Sequence, residues 1–175
     1  MLDINIEDDT LYIKSINKNS IGNIYSIYRN TYDFSFATGI FDLINYDQFS
    51  HQLSKFITRQ EAFFLDICFK ASGEAIGFVK GSIIQDEKIG WINSLAINKL
   101  YQRNGYGQKV MELLEKYLEQ HFNITRNYLS VHKNNSAGIK FWSTCGYEEC
   151  FNLSDICPDK SNQLIRFMYK DCSLI

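Results

Sequence analysis

The sequence predicts one α/β (α+β) domain over residues 1–175: a mixed, mostly antiparallel sheet of about seven strands flanked by helices, in the order β-α-α-β-β-β-α-β-α-β-β. Three observations predict it. Hydrophobic residues are 45% of the chain and aromatic residues 15%, against 22% charged, a composition that builds a packed core. Three apolar runs in mid-chain follow one another across short turns, as in an antiparallel meander. The pattern then changes to strand–helix–strand, the crossover that sets two strands parallel in one sheet. No repeat, low-complexity tract or Pro/Gly/Ser-rich linker divides the chain.

LYIKSI, residues 11–16, alternates as a first strand. Ser20 is placed to cap a helix reaching about Tyr32, with Ile21, Ile24, Ile27 and Tyr28 on one side. YDFSFATGIFDLINY, residues 32–46, is aromatic and irregular and reads as a loop with at most a short helix. Asp47 is placed to cap the next helix, whose apolar side is Phe49, Leu53, Phe56 and Ile57. AFFLDICFKA (62–71), AIGFVKGSII (75–84) and IGWINSLAI (89–97) are the meander, turned by Ser72-Gly73 and Asp86-Glu87. A helix follows from about Gly105 to His121, with Val110, Leu113, Leu114, Tyr117 and Leu118 as its apolar stripe. NYLSVH (127–132) is a strand, and a short helix over 136–144 is closed by Cys145-Gly146-Tyr147. Strands at 148–153 and 163–170 complete the order. The crossover sets the strand ending at Ile97 beside the one beginning at Asn127, so a ligand is expected at the carboxyl end of the former.

Composition excludes several classes. A formal net charge of −2 and a pI near 5.9 argue against a general nucleic-acid grip. The acidic start MLDINIEDDT is unlike a secretion signal, and no apolar run approaches a membrane span, so a cytoplasmic protein is expected. The five cysteines, Cys68, Cys145, Cys150, Cys157 and Cys172, are odd in number and form no CxxC pair; reduced thiols and no metal are expected.

QRNGYG, residues 102–107, opens the long helix with two glycines. A helix start exposes unpaired N–H groups and partial positive charge, and glycines remove side chains that would block an anion there. Residues 89–111 contain no Asp or Glu but include Lys99, Arg103 and Lys109. That combination suits a phosphate or pyrophosphate. The triphosphate loop GxxxxGK[ST] is absent, since Gln-Lys-Val follows Gly107, and GxGxxG lacks its third glycine at Val110.

The strand–QRNGYG–helix unit, the next strand, and the spacing Asn135-x2-Gly138-x3-Trp142-x3-Gly146-Tyr147 together resemble the GNAT superfamily of acyl-CoA-dependent N-acyltransferases. The resemblance covers nearly the whole chain and implies a GNAT-like fold that moves acetyl from acetyl-CoA to a primary amine by direct attack. The acceptor would be a small molecule or a peptide, with no metal, nucleic acid or membrane partner, in a monomer or homodimer. Gln102, Arg103, Asn104, Gly105, Tyr106, Gly107 and Gln108 would surround the coenzyme A pyrophosphate. Leu95, Ala96 and Ile97 would pair with the pantetheine arm, the Leu95 N–H polarising the thioester carbonyl. Asn135 would lie near the pantetheine. Trp142 stands where the family commonly has an acidic tyrosine; indole is not an acid, so Tyr147, Ser143 or water would protonate the leaving thiolate.

For the base, strand alternation puts Trp91, Asn93, Leu95 and Ile97 on one face, where Asn93 would orient a water. His132 and Glu87 are the other candidates. The acceptor pocket is expected from residues 32–46 and 153–163. There Tyr32, Phe34, Phe36, Phe41 and Tyr46 either wall the site or anchor the loop, and Asp33, Asp42, Asp47, Asp155 and Asp159 favour a cationic acceptor. Two rivals stay open: an acyl-CoA sensor of the same fold without turnover, and a nucleotide-binding α/β domain that uses QRNGYG for ATP.

Overall fold

The structure, a computed structural model, describes residues 1–150 and 164–172. Its elements are β1 (Asn5–Glu7), β2 (Leu11–Ser15), α1 (Ile21–Arg29), α2 (Thr31–Thr38), α3 (Tyr46–Ile57), β3 (Ala62–Phe69), β4 (Ala75–Ile84), β5 (Ile89–Ile97), α4 (Tyr106–Phe122), β6 (Arg126–His132), α5 (Ser136–Thr144), β7 (Glu148–Glu149) and β8 (Ile165–Asp171). One sheet of eight strands runs β1-β2-β3-β4-β5-β6-β8-β7, antiparallel except where β5 meets β6. β1 is the strand the alternation did not reveal, because three residues are too few to show a period.

Two apolar layers cover the sheet. On one face Val110, Met111, Leu114 and Leu118 of α4 and Trp142 of α5 pack on Leu65, Val79, Ile92 and Leu129. On the other, Ile24, Ile27 and Tyr28 of α1, Phe34 of α2, and Phe49 and Leu53 of α3 pack on Phe64, Phe78 and Ala96. Within residues 32–46, α2 replaces much of the expected loop. Its aromatics leave only Phe34 buried, so no apolar stripe marks it. Its ends mark it instead: the Asn30 side chain accepts from the Asp33 N–H at 3.2 Å, and Gly39 closes it with φ +73°.

Two expected caps are corrected. Ser20 holds the N-cap position of α1 but sits in helical geometry with no side-chain cap bond; it is buried, and its hydroxyl oxygen accepts from the Asn17 N–H at 3.4 Å. α3 is capped by Asn45 rather than Asp47, through a reciprocal capping box with Gln48 at 2.9 Å in each direction. Asp47 falls in the first turn, where the helix dipole favours it. The expected strand over 148–153 is seen as Glu148–Glu149, and its remainder from 151 onward lies outside the described residues.

β4 carries a lysine, Lys80, inward against the α1 and α3 layer. Its Nζ donates to the Tyr28 hydroxyl at 2.7 Å and lies 5.4, 5.4 and 5.9 Å from the ring centres of Tyr28, Phe56 and Phe64. No carboxylate among the described residues forms an ion pair with it, and burial lowers its pKa to about 8. The folded state therefore binds fewer protons than the unfolded chain between about pH 8 and the ordinary lysine value of 10.5. Stability should rise with pH across that window and be insensitive to Lys80 ionisation below it. Chemical denaturation of wild type and Lys80→Met at pH 7.5 and 10 tests this: the alkaline gain should shrink in the variant.

Candidate functional site

β5 and β6 are paired only from Ile89↔Arg126 to Ile92↔Leu129. Beyond that point β5 continues along β4 to Ile97, and β6 continues along β8 to His132, so the two strands part. A cavity of about 680 Å³, within the usual range for ligand sites, occupies the opening and reaches the starts of α4 and α5.

A bulge shapes the β5 side of this opening. The register runs Lys80↔Ser94 and then Gly81↔Ile92, leaving Asn93 as an extra residue with no partner on β4. Gly81 permits the close approach: a Cβ there would collide with the Trp91 carbonyl and the Phe63 ring. The bulge reverses the face parity, which corrects the expected alternation. Trp91 packs with Ile89 and Tyr128 on one face, whereas Leu95 and Ile97 join Ile92 on the α4 and α5 face. Asn93 is exposed and lines the cavity.

The ladder also fixes where the Leu95 amide points. Asn98 N–H donates to Ile76 O at 2.7 Å, and with Ile97↔Gly77 and Leu95↔Val79 this makes Leu95 and Ile97 non-hydrogen-bonded positions of the β4–β5 ladder. Their N–H and C=O groups turn toward β6, into the gap its departure leaves. The Ile97 carbonyl is capped there by Gln102 Nε2 at 2.8 Å. Ser94, on the reverse face, donates its hydroxyl to Ala37 O and ties α2 to the back of the site.

In QRNGYG the two glycines act differently. Gly105 is the N-cap of α4 with φ +81° and open space around its α-carbon, so it is required by conformation. Gly107 lies against Phe141 of α5, where a Cβ would stand 3.0 Å from the ring, so it is required by packing. The first turn of α4 holds no acid and has no side-chain cap, leaving its leading N–H groups facing the cavity. Arg103 also takes a left-handed φ of +65°.

Sequence-local absence of acid does not mean spatial absence. Lys109 pairs with Asp8 at 2.6 Å and Lys99 with Asp33 at 2.8 Å. Partial burial works against the Asp8 charge, but bonds from Lys109 and from the Leu11 and Thr10 amides hold its carboxyl below the usual range. Asp33 is held down by Lys99 and then by Asn30. Arg103 has no carboxylate partner among the described residues.

The cavity wall brings together Asn93, Leu95, Ala96, Ile97, Gln102, Arg103, Gly105, Tyr106, Gly107, Gln108, Asn135 and Trp142. Asn104 and His132 lie off it. The Asn104 amide folds back on the Tyr101 and Gln102 carbonyls at 3.3 and 3.2 Å. The His132 ring lies tilted against Phe36 and Phe41, and its Nδ1 accepts the Asn134 N–H at 3.1 Å, which occupies the lone pair a base would use. Glu87 sits at the opposite end of β5 from the opening. Asn135 caps α5, accepting from Gly138 N–H at 2.9 Å.

Trp142 is buried yet lines the cavity, edge-on to Phe141 and Tyr147. Neither substitute acid faces it. Tyr147 is buried, donates to Glu115 Oε1 at 2.9 Å, and burial followed by the Glu115 charge pushes its phenol well above the ordinary value. Glu115 is in turn bound by Lys170 at 2.5 Å. Ser143 and Tyr147 line a separate depression. Of the expected acceptor wall, Asp33, Phe34 and Phe36 line the cavity, while Asp155 and Asp159 lie outside the described residues. Ser94, Ser130 and Lys140 line it too and were not singled out from sequence; exposed Ser130 between buried Leu129 and Val131 is the one local signal.

A model of the acetyltransferase (GNAT) family covers residues 21–147. A probable spermine N(1)-acetyltransferase of Bacillus subtilis subsp. natto is 29% identical over 82 residues, 43% of this chain and 54% of that protein. The chain thus spans about half the length of the curated relatives it resembles. In structure it is similar to a probable GNAT-family acetyltransferase from Chromobacterium violaceum, at TM-score 0.80 and 12% identity over 98% of this chain and 87% of that one. It is also similar to a spermidine N-acetyltransferase from Vibrio cholerae crystallised with CoA and spermine, at TM-score 0.76 and 16% identity over 94% and 96%.

The α4 start yields a test with two opposed signs. Gln108→Glu places a carboxylate in the first turn, favourable to the helix dipole by about 0.5 kcal/mol but competing for the same amides as an anion. The variant should melt slightly higher than wild type alone, while the melting shift produced by coenzyme A falls. Equal shifts in both proteins would remove the anion from this helix.

Proposed function

Because the chain belongs to the acetyltransferase (GNAT) family, we propose that it transfers acetyl from acetyl-CoA to a primary amine of a small molecule. The observation that carries this reading is the Leu95 N–H turned into the gap between β5 and β6, beside an uncapped α4 start. Acetyl-CoA supplies the thioester. The α4 amides and Arg103 hold its pyrophosphate, the free edge of β5 at Leu95–Ile97 aligns the pantetheine, and Trp142 covers it. The Leu95 N–H stabilises negative charge developing on the carbonyl oxygen as the amine nitrogen forms its bond to carbon and the carbon–sulfur bond breaks. The amine's surplus proton passes to water near Asn93 and Ser130, and the thiolate takes one from water, since Asp33, the one carboxylate lining the cavity among the described residues, is paired with Lys99 and Trp142 stands where a phenol would donate.

The curated relatives named for spermine and spermidine support a small amine as acceptor. Phe34 and Phe36 suit its carbon skeleton. Thiol release from acetyl-CoA across spermine, spermidine, arylalkylamines and lysine peptides tests the reading. Coenzyme binding without release for any amine would favour the second reading, an acyl-CoA sensor, which Trp142 in place of a phenol and the occupied His132 lone pair support.

With no base assigned among the described residues, the neutral amine itself must be present. The rate kcat/KM should therefore climb about tenfold per pH unit toward the acceptor's own pKa, near 10 for an alkylamine. His132→Gln should leave that slope in place. A plateau near neutrality that disappears in the variant would make His132 the base.

A further inference from the structure

We propose that Lys140 reads the 3′-phosphate of coenzyme A and so makes the site selective for coenzyme A over thioesters or nucleotides lacking that group. The inference rests on the coenzyme reading above. Among the described residues two cationic side chains line the cavity, Arg103 and Lys140, and neither has a carboxylate partner there. The neighbouring Lys99 and Lys109 do not line it and are held by Asp33 and Asp8.

The nucleotide half of coenzyme A carries two separate anionic groups, a pyrophosphate at the ribose 5′ position and a phosphate at the 3′ position. The pyrophosphate belongs with the α4 amides, where Arg103 sits in the same loop. Lys140 stands on the facing wall. Its neighbour Phe141 packs on Gly107, so the first turn of α4 and the second turn of α5 are held side by side and present their cations to one cleft. Lys140 is exposed and, being on a flexible four-carbon stem, acts as a point charge suited to a terminal phosphate. Asp33, the one carboxylate lining the cavity among the described residues, is neutralised by Lys99 and does not oppose a second anion.

Titrations of coenzyme A and 3′-dephospho-coenzyme A with wild type, Lys140→Met and Arg103→Met test the assignment. Wild type should bind coenzyme A roughly fivefold more tightly than the dephospho form, the scale of one exposed charge pair. Lys140→Met should lose that preference by weakening coenzyme A alone, while Arg103→Met should weaken both and keep the ratio. The assignment is overturned if Lys140→Met weakens both ligands equally or neither, or if the preference disappears in Arg103→Met. If wild type binds neither ligand, the coenzyme reading falls; if it binds both equally, only the 3′-phosphate assignment falls. Unliganded melting temperatures report whether each variant keeps its fold.

Discussion

The site depends on one interrupted pairing. β5 and β6 are hydrogen-bonded neighbours for four residue pairs and then separate, although both strands continue. A sheet that stayed closed would pair the Leu95 and Ile97 backbone with β6 and leave no edge for a ligand. Separation is sustained because each strand keeps its other neighbour, β4 for β5 and β8 for β6. α4 and α5, which follow the two parting strands, start at the opening and bring their N-terminal dipoles to it. Sheet topology thus delivers a free strand edge and two helix starts to one place.

Electrostatics around that place are arranged over longer range. Asp8, between β1 and β2, and Asp33, on α2, each take a lysine that the local sequence offers as phosphate-binding. The arrangement fastens the β1–β2 hairpin and α2 to the segment carrying the α4 start. It also leaves positive charge concentrated on the amides and on two side chains. A largely buried polar trio at α4, Glu115 with Tyr147 and Lys170, has a different part: it joins α4, the turn after α5, and β8 from the inside.

What could be read from sequence follows the range of the interaction that decides it. The meander, the α4 stripe and the α5 cap were legible because their signals lie within a turn or two of themselves. QRNGYG and the Asn135–Tyr147 spacing located the helix starts for the same reason. α2 escaped because its aromatic residues are shared between core and surface, so its evidence lies in Asn30 and Gly39 rather than in a stripe. The pairing of Lys99 and Lys109 escaped because their partners are distant in the chain. His132 and Tyr147 kept their candidacy in sequence because occupancy of a lone pair or a hydroxyl is settled only by neighbours brought in through folding.

Asn93 gives the bulge a further meaning. Counted along the strand, it is a single inserted step: residues before it present one set of side chains to α4 and α5, and residues after it present the other set. Removing that step would restore an unbroken ladder and exchange the sides of residues 94–97. Leu95 and Ile97 would turn toward α1–α3, and Ser94 and Ala96 toward α4 and α5. The amide now aimed into the gap would be redirected to β4. Chain length at one position is therefore as much a part of the site as any side chain, and an insertion or deletion in β5 is a heavier change than a substitution.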